Sequence, residues 1–321
     1  MTFVYGNMPE AYRAIIKHII DFGRNVSPRG MITKELIGYS FSLEDPAYNV
    51  VTQATRKVSL PFMAAEGMWI LSGSNDARLI TPYNSNIKAF ADDGLFFRGA
   101  YGPKVMDQMP YIIQTLRDDP ESRQALLTIW RERPGPSKDI PCTITMQFFV
   151  RDQRLHMVVY MRSNDAWLGL PYDVYNFTLI QRYVASLLVL DVGRYHHHVG
   201  SLHLYQKNWA KAELLLREPL SFIPIVQSDP LTAPMPPEVL TVFTGMSLLG
   251  MNTGVTAKDV NSWIDLSESK AYPEWIDMLY MCAYRFHKDI SLLPKQLRNL
   301  VMYWDNYIDK QAEEDVEKLG G

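Results

Sequence analysis

The chain has 321 residues, 47% of them hydrophobic, with a formal charge of −3 and an isoelectric point near 6.2. That is enough apolar material for one large domain or two modest ones. The near-neutral balance argues against nucleic acid or a membrane surface as partner. No stretch reaches the roughly 18 apolar residues of a membrane-spanning helix, and the opening Met-Thr-Phe-Val-Tyr-Gly-Asn lacks a basic-then-apolar leader, so a cytoplasmic protein is expected.

In chain order, apolar residues at helical spacing (Ala14, Ile15, Ile19, Ile20) predict a helix over 9–22, followed by a loop through Pro28, Arg29 and Gly30 and a strand over 33–43. The run from Pro61 to Ser72, ending at Gly73, carries helix punctuation at both ends. Residues 73–104, rich in Gly, Asn, Asp and Pro, read as loop with short helices; 107–118 reads as helix and 123–131 as strand. Two β-type runs, 143–150 and 155–161, flank four polar residues and predict a hairpin. A long apolar helix is expected over 173–190, capped by Asp173 or a neighbour, then a strand over 194–205 and an amphipathic helix over 206–217. A Pro-rich break from Pro219 to Pro237 precedes helices at 237–250, 272–288 and 294–318. The sum is an α+β fold, a mostly antiparallel sheet flanked by helices, divided into a catalytic domain over 1–220 and a divergent helical region over 221–321.

Two segments carry chemistry. Cys142 follows Asp139-Ile140-Pro141, and twenty residues on comes Arg162-Ser163-Asn164-Asp165-Ala166-Trp167-Leu168-Gly169-Leu170-Pro171-Tyr172-Asp173. A lone Cys is more often a small buried apolar residue than a nucleophile, and Cys282, within Met278–Tyr284, fits that description. Neither belongs to a zinc-type pattern. His196-His197-His198 would put two rings on one strand face and one on the other, with no third ligand evident, so no metal is expected.

Over roughly residues 9–220, and most strongly over 139–205, these segments resemble the thymidylate synthase family, whose members attach a one-carbon unit to C5 of a pyrimidine nucleotide. The resemblance implies a thymidylate synthase-like fold and a set of roles. Cys142 is the nucleophile that adds to C6, making C5 reactive, with Arg162 near both sulfur and phosphate to acidify the thiol. Arg29, Ser163 and Arg162 hold the phosphate, and Arg123 is donated by the partner subunit of a homodimer. Glu66 organises water and shuttles protons at the pyrimidine edge, and Tyr101 lies near the proton-removal step. Gly169 permits close ring approach, and His203 and Tyr205 hold the sugar 3′-hydroxyl. Asp165 contacts the folate, and Phe90 belongs to the folate-side segment. Methylenetetrahydrofolate is the implied co-substrate and a pyrimidine nucleoside monophosphate the substrate.

Asp173 stands where the family has Asn. Asn offers one donor and one acceptor, suiting the uracil edge. A protonated Asp donates to N3 of cytosine and accepts from its amino group; an ionised Asp accepts from both if N3 is protonated. Either arrangement sets an acceptor against uracil O4, a mismatch that can discriminate by about 10⁴-fold. Asp139 replaces a usually apolar residue three before the nucleophile, and Ile87-Lys88-Ala89-Phe90 lacks a common tryptophan; both departures favour water over hydride at the last step. Gln124, Thr143, Met161 and Ser201 replace a family Arg, His, Gln and Asp, and the C-terminal tail does not match. The expected activity is 5-hydroxymethylation of dCMP or CMP. Methylation of dCMP, hydroxymethylation of dUMP and, outside enzymes, a catalytically idle nucleotide-binding protein are the alternatives.

Overall fold

The computed structural model describes residues 2–131, 135–219, 226–228, 230–231, 234–249 and 273–320. Strand β1 (Phe3–Tyr5) leads into helix α1 (Met8–Phe22), whose N-terminus is capped by Asn7 accepting from the Glu10 amide. Its buried stripe includes Ala11, Tyr12, Ile15, Ile16 and Ile19, the i, i+4 and i, i+3 spacing of one helix face. Strands β2 (Arg24–Val26) and β3 (Thr33–Leu43) follow, then α2 (Leu60–Leu71), capped by Ser59 and buried on all sides except at Glu66. Helices α3 (Ala77–Ile80) and α4 (Tyr101–Asp118) precede β4 (Leu126–Thr128), β5 (Thr143–Arg151) and β6 (Arg154–Asp165). Then come α5 (Leu170–Leu188), β7 (Asp191–Tyr205), α6 (Trp209–Arg217), α7 (Pro237–Leu249), α8 (Pro273–His287) and α9 (Lys295–Gly320).

The strands form one sheet in the order β1-β3-β7-β6-β5-β4, with β2 also on β3. Four pairings among the described residues are antiparallel and two parallel, so the sheet is mostly antiparallel as expected. The β5–β6 hairpin turns more tightly than the four-residue loop expected: Asp152 and Gln153, both at positive φ (52° and 58°), make a two-residue turn of the type that matches strand twist. The central pair β6–β7 is parallel and is therefore joined by a crossover, which α5 supplies. Alternate sheet positions such as Phe41, Met157, Val159, Tyr195 and His197 are buried towards the helices. The opposite face carries the partly exposed Tyr160, His196 and His198.

Several boundaries differ from expectation for local reasons. Helix α4 starts at Tyr101, ahead of 107, and tolerates Pro110 in its interior. Strand β4 is three residues long where nine were expected. Helix α5 starts at Leu170 with Pro171 in its first turn, a position that loses nothing by lacking an N–H. Asp173 therefore lies within the first turn and is not the cap; Gly169 occupies that position without a side-chain bond. Residues 220–225, 229 and 232–233 of the Pro-rich break and the stretch 250–272 lie outside the described residues. The C-terminal helices are packed into the body of the molecule: α8 lies along α2, and Trp304 of α9 donates through Nε1 to the buried Thr52 carbonyl at 2.8 Å.

Candidate active site

The C-terminal end of β6, the first turn of α5, the middle of α2 and the start of α4 converge on two adjoining cavities of about 760 and 890 Å³. Both are lined by Arg29, Glu66, Tyr101, Cys142, Arg162 and Asp173. Residues more than a hundred positions apart thus share one hollow. The parallel β6–β7 ladder brings further expected site residues together, since its register sets Ser163 opposite Ser201 and Asp165 opposite His203.

Cys142 sits just before β5, and its carbonyl accepts from the Arg162 amide at 2.9 Å. The Arg162 guanidinium donates to the carbonyls of Pro141 (3.0 Å) and Ile140 (3.2 Å) and lies over the Trp130 ring at 5.5 Å. This arginine is thus tied to the backbone that presents the sulfur. The thiol is nonetheless not acidified: burial pushes it up, Arg162 pulls it down, Asp173 and Asp139 push it up again, and Arg29 opposes them. The expected direction of the Arg162 effect holds, but the expected net acidification does not, because the low-dielectric wall outweighs one guanidinium.

Two carboxylates share the floor, each with one amide donor. Asn176 of α5 donates through Nδ2 to Glu66 Oε2 at 2.7 Å, and Asn164 of β6 donates through Nδ2 to Asp173 Oδ2 at 2.6 Å. Burial raises Glu66 to about 8, the neighbouring Asp173 charge adds to the rise, and Asn176 moderates it. Burial likewise raises Asp173 to about 7, with Asn164 lowering and Asp165 raising it. Near neutral pH both groups can exchange a proton, the condition for acid–base work.

The other expected residues fall into three groups. Arg29, at positive φ in a turn over Pro28–Gly30, and the half-exposed Phe90 line both cavities. Ser163, His203 and Tyr205 line the larger one, with the Ser163 hydroxyl 3.5 Å from His203 Nδ1 and the His203 and Tyr205 rings edge-on at 5.1 Å. Tyr101 accepts from the Thr143 hydroxyl at 3.0 Å, so Thr143 has a partner in the site. A second group lines the cavity with part of its valence already used. Asp165 Oδ1 accepts from the amides of Trp167 and Leu168, and Asp139 Oδ2 accepts from the Gly99 amide at 2.6 Å. Gly169 is explained by its own chain: a Cβ there would lie 3.0 Å from Asp173 Oδ2. The third group is Arg123 alone, which is exposed before β4 and lines neither cavity of its own chain.

Residues that no sequence signal marked are Asn164, Asn176 and Arg56. The last donates to the Trp167 carbonyl at 2.7 Å and lies against the Trp167 and Tyr172 rings. The histidine run divides by face: His197 is buried and bonded to the Tyr195 hydroxyl at 2.6 Å, while His196 and His198 pair with Ser42 and Ser40.

Comparison with known proteins agrees with this geometry. The model of the thymidylate synthase family matches residues 10–229. A deoxyuridylate hydroxymethyltransferase of Bacillus phage SP01 is 29% identical over 224 residues, covering 64% of this chain and 58% of that relative's length. With the match spanning more than half of its length, the chain belongs to the thymidylate synthase family.

Proposed function

We propose that the protein is a cytoplasmic one-carbon transferase that converts dCMP, or CMP, to the 5-hydroxymethyl nucleotide. The observation that carries this reading is Asp173: a carboxylate held by Asn164, raised to about 7, in the same cavity as Cys142. Protonated Asp173 against neutral cytosine, and ionised Asp173 against N3-protonated cytosine, contain the same single shared proton. Both match the cytosine edge, and uracil is opposed as long as the shared proton stays on the oxygen that faces N3.

The steps follow from the chain's own groups. The Cys142 sulfur, as thiolate, forms a bond to C6, and the C5–C6 π electrons move onto C5 and the ring. Glu66, protonated at neutral pH, supplies the proton balancing the change at the C4 edge. Methylenetetrahydrofolate supplies a one-carbon unit at the formaldehyde level. Trp69, Ile87 and Phe90 would hold its fused ring, with Asp165 as an acceptor in the adjoining cavity. C5 bonds to the one-carbon unit, the C5 proton departs in the neighbourhood of Tyr101, and the C–N bond to the folate breaks, so that tetrahydrofolate leaves and an exocyclic methylene remains. Water then adds to the exocyclic carbon as the S–C6 bond breaks and the thiolate is recovered. Asp139, half-buried on the wall, supports water over hydride because it is polar where a hydride route needs apolar shielding. Arg29, Arg162 and Ser163 hold the phosphate, His203 and Tyr205 the sugar. Arg123, exposed and lining neither described cavity, is proposed to complete the site of a partner in a homodimer.

The name of the phage relative favours a second reading, dUMP as substrate. Mass spectrometry of reactions with dCMP, CMP or dUMP, each with methylenetetrahydrofolate, separates the two. A gain of CH2O on a cytidine nucleotide is expected. A gain of CH2 would show hydride transfer, and reaction with dUMP alone would overturn the reading of Asp173.

A further inference from the structure

Asn164 has no assigned part in this chemistry, yet its geometry is that of a working group. Its side chain is buried, its Nδ2 lies 2.6 Å from Asp173 Oδ2, and its own Oδ1 is buried without a hydrogen-bond partner. A buried orphan acceptor costs about 1–3 kcal/mol, so an amide held this way serves its donor end. Oδ2 is further enclosed by Gly169, where a Cβ would come within 3.0 Å of Oδ2 and 3.4 Å of Asn164 Nδ2. Asp173 itself lines both cavities. With Oδ2 engaged by Asn164 and packed on Gly169, Oδ1 is the oxygen freer to carry a proton towards the base.

We infer that Asn164 is a positioning residue for pyrimidine choice: by donating to Asp173 Oδ2 it confines the shared proton to Oδ1, facing N3 of the base. The inference rests on the cytidylate reading above and deepens it. An oxygen already accepting an amide hydrogen is the poorer site for a proton. Cytosine is satisfied when Oδ1–H points to N3 and Oδ2 accepts both from Asn164 and from the amino group. Uracil demands the reverse, a proton on Oδ2 aimed at O4 and a bare Oδ1 for N3–H, which sets that proton in competition with the Asn164 hydrogen. The other ionisable groups around Asp173 are Asp165 of β6, Glu66 of α2, Tyr101 of α4, Cys142 before β5 and Tyr195 of β7. None of them is bonded to Oδ2 in the structure; Asn164 is.

The test is kcat/KM for dCMP and dUMP, from pH 5.5 to 9, in wild type, Asn164→Ala and the near-isosteric Asn164→Asp. The dCMP-to-dUMP ratio is expected to fall by about tenfold or more in both variants, the equivalent of one hydrogen bond. Because Asn164 lowers Asp173, its loss is also expected to move the alkaline fall of dCMP turnover to higher pH. Equal losses on both nucleotides with unmoved pH profiles would mean a merely structural role and would overturn the inference. Should Asn164→Ala not fold, Asn164→Asp carries the same test. Wild type acting on dUMP alone would sink the parent reading; wild type preferring dCMP with an unchanged ratio in the variants sinks only this one.

Discussion

Two acids, Glu66 and Asp173, are ionisable groups placed where water is scarce. In the unfolded chain they titrate near 4.5 and 3.8; folded, they titrate near 8 and near 7. Each therefore keeps its proton on folding at a pH where the unfolded chain releases it. Folding stability erodes as pH rises from the unfolded value and stops eroding once the folded value is passed. Glu66→Gln removes that slope while keeping an acceptor for Asn176. Its melting temperature is expected to differ little from wild type at pH 5 and to exceed it by several degrees at pH 8.5, with turnover lower by about 10²- to 10⁴-fold. A thermal-melt difference that does not grow between those pH values would contradict the assignment. Arg162 and Asp173 are legible in the sequence because they sit in one contiguous motif, and Cys142 because it stands at a fixed spacing before it. Asn164 lies in the same motif but carries no mark, since its role depends on a carboxylate one helical turn into the next element.

At the scale of elements, α2 decides where Glu66 points. The helix is apolar throughout except for that one carboxylate, so its orientation is set by packing on every side. Gly67 is the contact point: a Cβ there would meet Leu179 Cδ2 at 2.5 Å, Asn176 Oδ1 at 3.3 Å and Met278 Cε at 3.3 Å. Met278 belongs to α8, so the divergent C-terminal region forms part of the wall behind Glu66. Gly67→Val is expected to cost about 1–3 kcal/mol through overpacking and to depress turnover by displacing Glu66. Gly245→Ala in α7 has nothing within 4 Å of the added carbon and should be neutral or stabilising by up to about 1 kcal/mol. Denaturant titration and steady-state rates for the two variants check both; equal effects would mean that α8 does not press on α2. The helical pattern of 272–288 was readable from its apolar spacing. That it backs Glu66 was not, because two hundred residues separate them.

For the whole molecule, the sheet's helix-free face has Tyr160 stacked on His198 at 4.9 Å, with His196 and His198 each tied to a serine of β3. This semi-apolar face, together with an exposed Arg123 that lines neither of the two cavities described above, motivates the proposed dimer. Cys142→Ala and Arg123→Ala should each be nearly inactive alone. Mixed and allowed to exchange subunits, they should recover about one quarter of wild-type activity, since half the dimers are mixed and each of those has one complete site. Recovery absent while light scattering shows subunit exchange would place Arg123 outside the partner's site.

What the sequence by itself determined is what is local or contiguous. Helix and strand periods, the proline that opens α5, the motif from Arg162 to Asp173 and Cys142 as the candidate nucleophile are all readable along the chain. What only the tertiary structure decided is environment. The Cys142 thiol is raised, not lowered, because burial outweighs Arg162, and Asp173 titrates near neutrality because an apolar wall and one amide balance each other. Gly169 is glycine because a carboxylate four residues on folds back against it. Desolvation depends on which distant segments close over a group, and that sum is not encoded in any one stretch of sequence.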